Sequence, residues 1–376
     1  MDFALTEEQT LLKDSLTRFL ADEYDFEARK GILASPEGMS GKIWSGLAEL
    51  GLLALPFAEE DGGFGGGPVE TMLVMEALGR ALVVEPYLAE IVLAGAVLRH
   101  GVPAGERAAL IPGMLSGETR IALAHAEHAA RGRIEHVETR VIPSETGFRL
   151  TGIKNAVPFG ASADEFIVSA RDEAGRIGLY RIARGNPGLR ITDYRLHDGT
   201  RAADIHFADT IIPRDALLNA DGLPALQAAY AEAMAALVAE AFGVMDEAVA
   251  MTVDYLKTRQ QFGVAIGTFQ ALQHRASDMF VALEQARSMM FYATMMLSEP
   301  DLQARLGAQS AAKIAIAKAA RFIGQQAVQL HGGIGVTMEY KLGHLFKRLT
   351  VIEQQFGDRA FHLDRLAAGE SLLEPL

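Results

Sequence analysis

The stretch from Leu223 to Lys257, LPALQAAYAEAMAALVAEAFGVMDEAVAMTVDYLK, decides how the chain is read. Its apolar residues recur at helical spacing along the whole run. At helical rise such a run makes roughly 50 Å of helix. Two more long helical segments follow, Phe269 to Leu297 and Asp301 to about Leu330. Long helices joined by short loops pack as an antiparallel bundle, and residues 220–376 are expected to do so. The same run is too charged to span a membrane. Glu232, Glu240, Asp246 and Glu247 interrupt it, and no uncharged stretch approaches the roughly 20 residues required.

Immediately upstream the pattern changes. Arg140-Val-Ile, Gly147-Phe-Arg-Leu-Thr-Gly152, Glu165 to Ala170, Ile177 to Ile182 and Ala203 to Phe207 are short runs rich in β-branched and aromatic residues, separated by Gly, Asp, Asn and Pro. They predict an antiparallel sandwich or barrel over residues 119–219. Residues 1–118 read as helices. Thr6 and Gln9 have capping-box spacing, with Glu7 and Glu8 at the positive helix end. Ile43, Leu47 and Leu50 mark another helix, and Val69–Leu82 and Leu88–Arg99 are helical by composition. Between them, Gly62 to Gly67 holds five glycines in six positions and must be a loop. The whole is expected to be α+β: an N-terminal helical domain (1–118), a middle β domain (119–219) and a C-terminal helical bundle (220–376).

Composition excludes several functions. The 376 residues contain no cysteine, which removes disulfides, thiolate nucleophiles and zinc–thiolate sites. With 35 basic against 48 acidic residues the net charge is −13, which argues against nucleic acid and anionic membrane surfaces as partners. The acidic start, MDFALTEEQT, lacks the features of a signal peptide, and a cytoplasmic protein is expected. There is no GxGxxG after a strand, no Walker loop, no GxSxG and no HExxH. His125-Ala-Glu-His128 has metal-like spacing but no third ligand, so no metal site is expected.

Two segments carry chemistry. Arg259-Gln-Gln-Phe-Gly263 follows the first long helix, with a forked cation suited to phosphate and a flat apolar ring. Gly267-Thr-Phe-Gln-Ala-Leu-Gln273 then opens the next helix, whose free N–H groups favour an anion. Gln329-Leu-His-Gly-Gly-Ile-Gly335 ends a long helix in glycines that allow close approach of a ligand. Each also reads as a plain helix stop with a linker; together they point to a nucleotide-type cofactor. Glu240, among apolar neighbours in the first long helix, is a candidate base if buried, and otherwise a carboxylate that pairs with an arginine or reaches solvent.

These segments, in order, resemble the acyl-CoA dehydrogenase family over essentially the whole chain. Leu5-Thr-Glu-Glu-Gln9, Leu50-Gly-Leu-Leu with Pro56 and Gly62-Gly-Phe-Gly65, Lys154, Pro213–Leu218, Arg259–Gly263 with Phe269-Gln-Ala-Leu-Gln273, and Gln329–Gly335 with Glu339-Tyr340 follow the family's segments. The resemblance implies a four-helix C-terminal bundle and an FAD shared between subunits. Arg259, Phe262, Gln270, Gln329, Gly332 and Gly333 are then the cofactor-binding residues, reaching the adenine–pyrophosphate end from a neighbouring chain. It implies α,β-dehydrogenation of an acyl-CoA thioester. A glutamate takes the α-proton, the β-hydride goes to flavin N5, and an electron-transfer flavoprotein collects the electrons.

The departures are as informative. Phe356 occupies one place of the family's base and Ala233 the other, leaving Glu240, seven residues beyond Ala233 on the same helical face, as the remaining catalytic candidate. The flavin segments of the β domain correspond to Ala126–Arg133 and Ala156-Val-Pro158, without the hydroxyls, tryptophan and threonine used there. Three outcomes stay open. The chain is a self-sufficient homodimer or tetramer, or the small subunit that completes the FAD site of a large acyl-CoA dehydrogenase subunit, or a CoA-thioester binder without dehydrogenase activity.

Overall fold

The computed structural model describes residues 4–369. The chain forms two compact units, each assembled from separate stretches. Of the described residues, one comprises 31–71 and 84–233, and the other 4–30, 72–83 and 234–369.

The first unit is built on an eight-stranded sheet. Its strands are β1 (Ile121–Ala124), β2 (Arg140–Ser144), β3 (Gly147–Pro158), β4 (Glu165–Arg171), β5 (Ile177–Ala183), β6 (Leu189–Arg195), β7 (Arg201–Pro213) and β8 (Leu217–Asn219). The order is β6-β7-β3-β2-β4-β5-β8, with β1 paired to β4. Five strands fall where β-branched and aromatic runs predict them. The expectation of a purely antiparallel sheet is corrected: β1 runs parallel to β4, Ile121 opposite Glu165, and β2 meets β4 in a parallel bridge. The inward face carries Val141, Leu150, Phe166, Val168, Ile205 and Phe207, each nearly inaccessible to water. Burial of such a set supplies the unit's main cohesion, at roughly 25 cal/mol per Å² of apolar surface.

In the same unit, Tyr87–Ala94 departs from the expected α-helix. It is π-helical and continues into the α-helical Gly95–Gly101. Its Glu90 is buried, with burial driving the carboxyl pKa well above its ordinary value, partly opposed by Arg120.

The second unit is helical. Glu7–Glu23 begins with the anticipated capping box: Thr6 Oγ1 accepts from Gln9 N at 3.1 Å and Gln9 Oε1 from Thr6 N at 3.0 Å. The Gln270–Met295 and Leu302–His331 helices pack together, and Lys341–Gln354 and Arg359–Ala368 pack against the latter. Asp301 caps Leu302–His331 by accepting from Gln303 N and Ala304 N. Leu223–Thr258, 36 residues long, matches its sequence reading within a residue at its C-terminal end. Its segment beyond residue 233 lies in this second unit. No helix of the described residues is long and apolar enough to cross a membrane.

Candidate functional site

The Arg259–Gly263 segment folds as a two-residue hairpin. Gln260–Gln261 pairs with Val264–Ala265, and the Ile266 N–H donates to Arg259 O at 2.8 Å. Phe262 and Gly263 form the turn, with φ of +55° and +80°. Such a primed turn normally takes Asn-Gly or Gly-Gly. A phenylalanine there is strained by about 1–2 kcal/mol. It gains no burial in return: Phe262 is 91% exposed, touching Phe269 edge-on at 6.1 Å. A strained aromatic ring held out from the fold is a feature to be explained by something it meets outside the chain.

The other cofactor candidates share this exposure. Arg259, Gln270, Gln329, Gly332 and Gly333 are all exposed. Gln270 is the first residue of its helix, whose N-cap, Phe269, offers no side-chain hydrogen bond. Gly332 has φ +65° and ψ −142°, a conformation only glycine adopts readily. A Cβ on Gly332 or Gly333 would meet nothing within 4 Å. Gly333 is therefore not required by packing within the chain, and the space beside it suits close approach of a ligand backbone. A forked cation, a flat ring and an open glycine turn fit the adenine–pyrophosphate end of a flavin dinucleotide.

The helical ends that carry these segments are joined by aromatic rings. Tyr255, one turn before Arg259, stacks on His331 at 4.4 Å with 25° between planes, and Tyr340 lies 5.4 Å from His331 on another side. Burial lowers the His331 pKa, offset in part by its hydrogen bond to Ala327 O. Sequence reading passed over Tyr255 and noted Tyr340 only as part of the resemblance; the signal available was the aromatic residue four positions before Arg259.

The β-domain segments that correspond to the family's flavin contacts are closed on themselves. Glu127 turns inward. Its Oε1 accepts from Lys154 Nζ at 2.7 Å, Thr139 Oγ1 at 2.7 Å and Thr139 N at 3.0 Å, and its Oε2 from Glu138 N at 2.5 Å. Burial alone would raise the Glu127 pKa, but Lys154 and these donors bring it below its ordinary value. Lys154 is fully buried, which lowers its pKa to about 8 against the pull of Glu127, and it also donates to Ser169 Oγ and His125 O. His125 binds Ser169 Oγ through Nδ1 and meets Tyr230 edge-on, while His128 is exposed. Among the described residues no group of three or more His, Asp or Glu could hold a metal ion.

Next to this cluster, β3 bulges between Lys154 and Val157. Ala156 has φ +50°, and its N–H donates to Asp204 Oδ1 at 3.0 Å. Tyr194 Oη donates to the same oxygen at 2.8 Å. The Ala156 N–H is thus spent on Asp204, and Pro158 has none to offer a flavin ring.

The catalytic candidates are placed as follows. Glu240 is buried, and both its oxygens are held by Arg348: Nε to Oε1 at 2.5 Å and Nη2 to Oε2 at 2.9 Å. A bidentate arginine fixes the carboxylate's position and occupies both of its oxygens. Ala233 is buried and brings no titratable group. Phe356 has φ +58° in a turn where Gly357 has φ +100°. The turn is held by the buried Lys313, whose Nζ donates to Ile352 O and Gln355 O at 2.8 Å each. Burial lowers the Lys313 pKa to about 7, while Glu353 and Asp358 act in the opposite direction. Neither Arg348 nor Lys313 was singled out from sequence.

Comparison with known proteins shows the family. Residues 6–118 match the family description Acyl-CoA dehydrogenase, N-terminal domain, and residues 220–370 match Acyl-CoA dehydrogenase, C-terminal domain. The chain is 28% identical over 342 residues to the acyl-CoA dehydrogenase FadE27 of Mycobacterium tuberculosis, covering 89% of this chain and 88% of that protein. Its structure superposes with a TM-score of 0.87 on a variant of the Tcur3481-Tcur3483 steroid ACAD, at 28% identity and with 96% and 97% of the two chains covered. It also superposes with a TM-score of 0.89 on PigA with FAD and proline, at 25% identity and 98% coverage of each.

Proposed function

We propose that this chain, which belongs to the acyl-CoA dehydrogenase family, is the subunit of a two-chain acyl-CoA dehydrogenase that completes its partner's flavin site and supplies no base of its own. The family's fold is present here, and FAD is its cofactor. The observation that carries the reading is Phe262, strained and 91% exposed at the tip of a hairpin with nothing in its own chain to justify either property.

When bound, FAD accepts the hydride that leaves the β-carbon of an acyl-CoA thioester. This chain's own part is to bind and orient. Arg259 would hold the pyrophosphate and Phe262 would stack on the adenine. Gly332 and Gly333 would let the phosphates approach the backbone, and Gln329 and Gln270 would offer amide groups. Removal of the α-proton requires a carboxylate at the thioester. Phe356 and Ala233 cannot serve, and Glu240 is assigned to its ion pair with Arg348 rather than to that task. The base therefore resides in the partner, as does the ring-binding half of the flavin site, in keeping with the closed Asp204–Ala156 edge. The paired names of the steroid ACAD relative support a two-chain assembly, and a steroid side-chain or dicarboxylyl thioester is the substrate class proposed. An electron-transfer flavoprotein is the acceptor proposed for the reduced cofactor.

The test is the visible spectrum of the chain purified alone and with any co-purifying subunit, with flavin counted per chain. A colourless chain that gains stoichiometric FAD only with its partner is expected. A yellow chain near one FAD per copy, bleached by an acyl-CoA, would overturn the proposal in favour of a self-sufficient enzyme.

A further inference from the structure

We infer that Tyr255, His331 and Tyr340 are positioning residues, an aromatic clamp that sets the spacing between the hairpin and the glycine turn that together receive the dinucleotide. The inference rests on the reading of those two segments as a flavin-completing site.

The clamp is built at a junction of three helix ends. Tyr255 lies in the last turn of Leu223–Thr258, and its carbonyl accepts from the N–H of Arg259 at 2.9 Å, where the hairpin begins. His331 is the last residue of Leu302–His331, directly before Gly332. Tyr340 caps the start of Lys341–Gln354. His331 is 3% exposed and touches both tyrosines, so one ring links the base of the hairpin to the base of the glycine turn.

Hydrogen bonding fixes that ring. Its Nδ1 lies 2.9 Å from Ala327 O, and a carbonyl only accepts, so Nδ1 carries the proton. Nε2 is left to accept from Tyr340 Oη at 3.4 Å. The Gly332–Val336 turn packs back on the base of the His331 side chain through Gly335, where an added Cβ would come within 3.1 Å of both His331 Cβ and Val328 O. A shift of His331 would therefore disturb the glycine turn at its Cβ and Tyr255, hence Arg259, at its ring.

A dinucleotide contacted by a cation, a ring and a backbone turn needs these at a fixed separation, within a fraction of an ångström. Each is exposed and cannot be fixed by its own packing. A buried stacked ring between their bases supplies the constraint without meeting the ligand.

The experiment uses the full chain with any subunit that co-purifies, stripped of flavin and titrated calorimetrically with FAD and with ADP. Tyr255→Leu keeps apolar bulk but removes the flat ring. It should weaken both ligands tenfold or more while leaving the melting temperature within a few degrees, and Tyr255→Phe should restore wild-type affinity. His331→Gln, which removes the flat ring, should weaken both similarly. Wild-type affinity in folded Tyr255→Leu and His331→Gln, with Arg259→Ala weakened, would overturn the clamp alone. Failure of both variants to fold would also overturn it, because the rings would then be holding the bundle itself. If the unsubstituted protein binds neither ligand, or Arg259→Ala binds both as well as it does, the flavin-completing reading fails and the clamp with it.

Discussion

Replacing Phe262 with asparagine should make the isolated chain more stable and its flavin site worse. Asparagine adopts left-handed φ far more readily than phenylalanine, so the substitution relieves most of the 1–2 kcal/mol or so of strain at φ +55°. The ring is 91% exposed, so little burial is lost. Its edge-on contact with Phe269 at 6.1 Å is worth at most the low end of about 0.5–1.5 kcal/mol. The balance is a gain of about 0.5–1 kcal/mol, or roughly 1 °C in melting temperature for a protein of this size. Loss of a base-stacking ring costs about 1–3 kcal/mol of binding, a five- to hundredfold loss of FAD affinity. Urea unfolding of the isolated chain reads the first quantity, and calorimetric titration of the assembled enzyme reads the second. The reasoning is refuted if Phe262→Asn destabilises the isolated chain by more than about 1 kcal/mol, since the ring would then belong to the fold. Unchanged FAD affinity would refute it equally.

Two further outcomes concern the buried cluster of the β domain. Lys154→Met should destabilise the chain by about 3–5 kcal/mol, because it leaves Glu127 charged and unpaired, and adding Glu127→Gln should recover part of the loss; chemical denaturation of the single and double variants checks this. The pH dependence follows from His125, whose pKa burial lowers to about 3, with Lys154 acting in the same direction. The fold holds His125 neutral and the unfolded chain protonates it below about 6.5, so its contribution is complete above that pH and is lost as pH falls towards 3. Urea stability measured between pH 7 and 5 should decline less steeply in His125→Phe than in the unsubstituted chain, by up to about 1.4 kcal/mol per pH unit. Parallel slopes would show that His125 is not neutral in the fold.

What local pattern encodes was legible. The long helices, the Thr6 box and five strands follow from periodicity and turn residues a few positions apart. The strand β6, LRITDYR, was missed because it lies at the end of the sheet order with mixed exposure, so its alternation is weak. The parallel seating of β1 depends on a partner more than forty residues away. The candidate site divides the same way. Arg259, Phe262 and the glycines announce themselves by type and spacing. The fate of Glu240 was undecidable from its helix, because its arginine stands 108 residues further along. Glu127 likewise looked like the remnant of a flavin segment until Lys154 and Thr139 were found to enclose it.

The π-helix at Tyr87–Ala94 has a consequence for how this fold changes length. A π-helix holds roughly one residue more per turn than an α-helix. The chain therefore carries a surplus residue between Pro86 and Gly95. Deleting one residue there leaves enough to wind an α-helix in phase with Gly95–Gly101, whereas a deletion inside β3 or β7 would turn every later side chain of that strand to the wrong face. Single-residue gaps between this chain and its relatives should collect in this helix, and positions counted across it will be displaced by one.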